Sequence, residues 1–223
     1  MTDYAAAYHG VRERVTDLIG SHGSDVDTIA PATPQWRVRD VVSHLAGICD
    51  DILNGNLDGV GTDRWTAAQV DKRRDWTVDR ILTEWDEQGS TVEQMMSSFP
   101  GVTVGQMVYD AATHEHDIRS ALDEAGARDS EAVAIGYDWG TDRFGEAVGD
   151  MTTFTFVTEL GAKTVGSGEP ASTLHASRFE VIRAFTGRRS MAQMRSYRWE
   201  GTPQPERLVL ADLFHPPGED LIE

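Results

Sequence analysis

Apolar residues recur at steps of three and four along the first part of the chain. Tyr4, Tyr8, Val11, Val15, Leu18 and Ile19 predict an amphipathic helix over 3–20, closed by Gly20 and Gly23. The Ala30-Pro31-Ala32-Thr33-Pro34 stretch reads as a loop. Val38, Val41, Val42, Leu45, Ile48, Ile52 and Leu53 mark a second helix, broken by Asn54-Gly55-Asn56 and Gly59-Val60-Gly61. Residues 65–97 read as largely helical, with a restart at Asp75-Trp76-Thr77, where Thr77 is the cap and Arg80 takes the N3 position. Ile81, Leu82, Trp85, Val92, Met95 and Met96 are its inward positions. After a Phe99-Pro100-Gly101 turn, Val104, Met107, Val108, Ala111, Ile118, Ala121 and Leu122 mark a fourth helix ending near Gly126. Four such helices with short to moderate connections predict an antiparallel bundle.

The pattern then changes. Residues 130–148 fit a further helix, weakened by Gly136, Gly140 and Gly145. Thr152 to Val157 is β-branched and aromatic and reads as a strand. Gly166-Ser167-Gly168-Glu169-Pro170 is a turn, and Leu174 closes a short strand. Phe179 to Phe185 predict a helix that stops at Gly187, and Met191, Met194, Tyr197 and Trp199 continue as a second one. The tail, with Pro203, Pro205, Pro216 and Pro217, reads as extended or irregular. These signals predict an α+β protein: a four-helix bundle over 1–149 and a small α/β domain over 150–223.

Charge and composition narrow the function. Acids outnumber bases 37 to 20, for a net charge of -17. Nucleic acid is therefore not expected as a partner, since phosphate binding needs clustered Lys and Arg. Residues 150–223 are closer to balance, with six arginines in one segment, at 178, 183, 188, 189, 195 and 198. Arginine pairs bidentately with carboxylates, so Arg188 and Arg189 are candidates to hold a substrate carboxylate. A helix cap and surface pair around Gly187 explains them equally well. No membrane partner is expected, because no apolar run reaches about 18 residues. The Met1-Thr2-Asp3-Tyr4 start lacks the pattern of a secretory signal, which points to the cytoplasm. A single cysteine, Cys49, excludes a disulfide framework and cysteine-based zinc sites. It reads as a small buried hydrophobe rather than a nucleophile.

The chemistry centres on Tyr109-Asp110-Ala111-Ala112-Thr113-His114-Glu115-His116-Asp117. Asp110 and His114, four apart on a helix, share one face and can bind a single divalent metal. His44, from the second helix, supplies a third ligand. Two histidines and a carboxylate leave coordination positions open, as catalytic sites do. Each element alone has a plainer explanation. A histidine among Val41, Leu45 and Ile48 is commonly a core residue, and an i, i+4 carboxylate–imidazole pair is commonly a surface ion pair. Asp110, His114 and Asp117 along a stripe flanked by Met107, Ala111 and Ile118 are expensive to bury unless they share a partner. Asp117 reads as a hydrogen-bond partner behind the ligands. Glu115 and His116 point elsewhere, toward solvent.

The stretch Trp36-Arg37-Val38-Arg39-Asp40-Val41-Val42-Ser43-His44-Leu45-Ala46-Gly47 resembles the second helix of the mycothiol-dependent maleylpyruvate isomerase family, within the DinB-like superfamily. Asp110 to Leu122 resembles that family's Glu-x-x-x-His segment with a following Asp. Arg178-Phe179-Glu180, Arg183, Thr186-Gly187-Arg188-Arg189-Ser190 and Gln193 resemble its C-terminal domain. The resemblance implies a DinB-like four-helix bundle that binds zinc through His44, Asp110 and His114, and a small α/β domain that helps shape the pocket. One departure stands out: the family's usual Glu is Asp110 here, one methylene shorter.

The expected function is a metal-dependent enzyme that uses a low-molecular-weight thiol, mycothiol, on a small electrophilic substrate. Isomerisation and S-transfer are both open. The metal is expected to be Zn2+ or another divalent ion, with iron(II), nickel and manganese as alternatives. A metal- or ligand-binding protein without turnover is the rival of a different class. Metal-assisted hydrolysis is a third reading, for which the sequence names no clear general base. The sequence does not fix the oligomeric state.

Overall fold

The computed structural model describes residues 2–210 and 214–223. Met1 and the part of the irregular tail at 211–213 lie outside the described residues. The fold is mixed α+β, with eight α-helices and one four-stranded sheet among the described residues. No described helix is long and apolar enough to cross a membrane.

The chain divides into two compact units after Gly126. The first holds α1 (Tyr4–His22), α2 (Val38–Asn54), α3 (Asp63–Lys72), α4 (Val78–Met95) and α5 (Gly101–Leu122). Helices α1, α2, α4 and α5 pack pairwise around an apolar core, and α3 lies against α2. Tyr8, Val11, Val15, Val41, Leu45, Trp85, Val108 and Ile118 are among the side chains buried there. The three-and-four spacing therefore marks the faces that meet. Gly20 lies within α1 and only Gly23 caps it. Thr77 caps α4 as read from the sequence, its hydroxyl accepting from the Arg80 N–H at 3.3 Å. Met95, expected inward, is exposed at the last turn of α4, where Met96 is buried instead.

The second unit holds α6 (Glu131–Val148), β1 (Thr153–Thr158), β2 (Gly161–Gly166), β3 (Ala171–His175), α7 (Arg178–Phe185), α8 (Met191–Ser196) and β4 (Arg198–Gly201). The sheet order is β2-β1-β3-β4, with β1 and β3 parallel and the outer pairs antiparallel. Helix α6 packs on α7 and β2, so the division falls near residue 127 rather than near 150. One of its glycines has a packing reason: a Cβ on Gly145 would lie 3.0 Å from Val165 Cβ on β2. Phe144, Phe154, Phe156 and Phe185 form the aromatic core of this unit. The helix expected through Trp199 stops at Ser196. Leu174 pairs with Trp199 across β3 and β4, so the partner strand overrides the helical spacing.

Candidate metal centre

Local signals on α2 set the place of His44. The Asp40 carboxylate accepts from the Arg37 N–H at 2.9 Å and closes the first turn. Gly55, at φ 72°, ends the helix in the left-handed region. The apolar stripe of α2 faces the core and takes His44 with it, to 3% exposure. On α5, Asp110 and His114 lie one turn apart on one face. His114 is buried, while the Asp110 side chain is about one-third exposed at 34%.

The two helices bring all three predicted ligands together. His44 Nε2 lies 3.5 Å from Asp110 Oδ2, and His114 Nε2 lies 3.7 Å from Asp110 Oδ1. One ligand atom from each residue falls within 4.8 Å of the others. These separations discriminate between two explanations. Direct N–H···O bonds span roughly 2.7–3.2 Å, so neither contact is one. Two ligands on a tetrahedral ion with bonds of about 2.1 Å stand about 3.4 Å apart. The spacing fits atoms gathered around a shared cation, and the residue types fit a borderline divalent ion.

The rings are held from behind through their other nitrogens. His114 Nδ1 lies 3.0 Å from Oδ2 of the fully buried Asp117. An ionised carboxylate only accepts, so in a neutral ring this pairing calls for the proton on Nδ1 and leaves the Nε2 lone pair free for a metal. His44 Nδ1 lies 2.6 Å from Oε1 of Gln69, a buried residue of α3. Metal-binding histidines are held in this way by a carboxylate or carbonyl behind the ring. Asp117 thus has the supporting place read for it from the sequence.

Two half-buried indoles wall the cluster. Residues 30–36 fold back on themselves, with Trp36 N–H donating to Thr33 O at 2.8 Å and Ala30 N–H to Trp36 O at 2.9 Å. This turn sets Trp36 against both imidazoles, with ring centroids 5.2 Å from His44 and 5.9 Å from His114. Trp65 meets His44 edge-on at 6.3 Å, anchored by its Nε1–H donating to Asn56 O at 3.0 Å. An open cleft of about 430 Å³ beside the cluster is lined by Asp50, Asp51, Asn56, Lys72 and by Trp65 and Gln69, which it shares with the site. Gln69 and Trp65 gave no signal in the sequence, because α3 is a short polar helix whose role appears only once it docks on α2.

Other sequence candidates fall elsewhere. Arg188 and Arg189 belong to the second unit and are buried. Arg189 makes a two-point pair with Glu180, Nε and Nη2 donating at 2.6 and 2.8 Å, and its Nη1 donates to Arg188 O. Arg188 Nη1 donates to Thr186 O at 2.7 Å. Glu115 and His116, expected in solvent, are both buried. Glu115 accepts from Arg14 of α1 at 2.8 and 2.7 Å and from Arg119 at 3.0 Å, which makes its burial tolerable. Cys49 is fully buried, and burial pushes its thiol up to about 11, in keeping with an inert side chain.

No family model matches the chain, and no curated protein or solved structure matches it at significance.

Proposed function

We propose that this chain is a divalent-metal-dependent enzyme that uses a low-molecular-weight thiol on a small electrophilic substrate. The reading extends the resemblance to the DinB-like, mycothiol-dependent maleylpyruvate isomerases. One observation carries the metal part. His44 Nε2 and His114 Nε2 face the two oxygens of one carboxylate at 3.5 and 3.7 Å, each ring tied down through its Nδ1. His44, Asp110 and His114 would hold the ion, and Zn2+ suits the donor set. When bound, such an ion coordinates a thiol sulfur and favours its thiolate.

The chain's own residues do the rest. Trp36 and Trp65 exclude water from one side of the site and leave the Asp110 side reachable from solvent. Asp50, Asp51, Asn56 and Lys72 give the adjoining cleft hydrogen-bonding groups suited to a hydroxyl-rich thiol such as mycothiol. Two reaction classes fit a nucleophilic thiol and a small electrophile: isomerisation by reversible addition, and S-transfer. A carboxylate-holding role for Arg189 would require opening its pair with Glu180, so we give the arginines no step.

The shorter Asp110 favours a second reading, a metal-binding protein of the same fold without turnover. Thiol-dependent consumption of electrophilic substrates by the zinc-loaded protein separates the two. Activity that requires thiol and disappears in His44→Ala and His114→Ala supports the enzyme. Stoichiometric zinc with no thiol-dependent turnover across unsaturated keto acids and alkylating electrophiles supports the binding protein.

A further inference from the structure

We infer that Gln69, oriented by Asp51, is a positioning residue that fixes which nitrogen of His44 is available as a ligand. The inference rests on the reading of His44 as a metal ligand and adds a determinant that lies outside the ligand set. Gln69 is buried at 3% exposure, and its amide bridges two groups. Nε2 donates to Asp51 Oδ2 at 2.7 Å, and Oε1 faces His44 Nδ1 at 2.6 Å. A carboxylate cannot donate when ionised, so Asp51 selects the amide rotamer with nitrogen toward itself and oxygen toward the imidazole. An amide oxygen only accepts, so His44 must place its proton on Nδ1. The Nε2 lone pair then faces Asp110 and the shared ligand position. The chain Asp51–Gln69–His44 thus does for one histidine what the single carboxylate of Asp117 does for the other.

The docking of α3 supports the same role. A Cβ on Gly47, three residues beyond His44, would lie 2.5 Å from Gln69 Cβ. Only glycine lets α3 approach closely enough for a glutamine side chain to reach His44. Arg73, fully buried one turn after Gln69, fastens the helix. Its Nη1 donates to Gln69 O at 3.0 Å, and it pairs with Asp50 of α2 and Glu84 of α4.

The test uses the full chain, metal-free and labelled with 15N-histidine. Two-bond 1H–15N correlation spectra, assigned with His44→Ala, report the tautomer of the neutral ring. The expected result is Nδ1–H for His44 in the wild type and a shift toward Nε2–H in Gln69→Leu. Zinc affinity, read by competition with a chromophoric chelator, should fall about 10- to 100-fold. Gln69→Glu alone sets two carboxylates against each other and should also weaken zinc. Adding Asp51→Asn to Gln69→Glu restores a donor–acceptor pair and should recover most of the affinity, a rescue that a space-filling role would not give. If Gln69→Leu fails to fold, Asp51→Asn alone, at a half-buried position, should still lose Nδ1–H selectivity. An unchanged Nδ1–H tautomer with unchanged zinc affinity in Gln69→Leu overturns the inference. If the tautomer shifts as expected in Gln69→Leu while the wild type binds no zinc, the inference stands and the metal reading falls, so the two failures are distinguishable.

Discussion

Two part-buried polar clusters invite comparison: His44–Asp110–His114 in the first unit and Arg189–Glu180–Tyr197 in the second. Each takes at least one ionisable side chain out of water, His44 and His114 in the first and Arg189 in the second, where an uncompensated charge is costly. In the second cluster the chain supplies its own answers. Glu180 receives two bonds from Arg189 and one from the Tyr197 hydroxyl at 2.8 Å, all at hydrogen-bonding distance. In the first, the hydrogen bonds lie behind the rings, on Asp117 and Gln69. The facing atoms stand 3.5 and 3.7 Å apart, too far to answer one another directly. Complementary groups in contact make a structural cluster. Lone pairs converging at the spacing of a coordination shell make a group that could hold a metal ion. Arg189, one of the two candidate carboxylate holders in the sequence, here meets a carboxylate of its own chain, Glu180.

The comparison can be broken by exchanging what each cluster loses. Removing a ligand has the largest expected effect: His114→Ala should lower zinc affinity by more than the roughly 100-fold upper range for supporting residues, with helical content retained. Chelator competition and circular dichroism check both halves. Glu180→Ala should do the opposite, leaving zinc affinity unchanged while destabilising the second unit by about 3 kcal/mol in urea unfolding, because the buried Arg189 guanidinium loses a two-point carboxylate pair. The effect has a pH signature. Burial raises the Glu180 carboxyl, but the bonds from Arg189 and Tyr197 outweigh it and hold the group below the ordinary glutamate range. That contribution is present above the unfolded value of about 4.3 and is lost as pH falls through the lower folded value. Glu180→Gln should therefore lack this acid-induced loss of stability while the wild type shows it.

Gly47→Ala sharpens the contrast at smaller scale. The added methyl must push α3 from α2, at a cost of about 1–3 kcal/mol, and zinc affinity should fall with it because Gln69 moves from His44. The smallest expected effect is at Cys49. Its thiol, buried and pushed up to about 11, should resist a disulfide reagent at pH 8 in the folded protein and react promptly in denaturant.

The grouping of the three candidate ligands was legible because it needs only helical geometry. Asp110 and His114 are one turn apart whatever surrounds α5, and His44 lies within the apolar stripe that directs α2 inward. Gln69, Trp36 and Trp65 were not, because each reaches the site through a turn or a short helix whose docking depends on tertiary contacts. Glu115 was misread for a related reason. Its burial depends on Arg14, 101 residues away in sequence, which no local pattern announces. In the second unit, β1 declared itself by its β-branched run. The exposed Gly161–Gly166 strand carries little apolar signal, and Arg198–Gly201 follows a helical spacing until β3 claims it.

The most direct test of the account is the metal content of the full chain purified without an affinity tag, by mass spectrometry, before and after zinc is offered. The account predicts close to one zinc per chain in the wild type and none retained in His44→Ala or His114→Ala. A folded wild type that takes up no zinc, or variants that retain it, would contradict the assignment of His44, Asp110 and His114 as a metal centre.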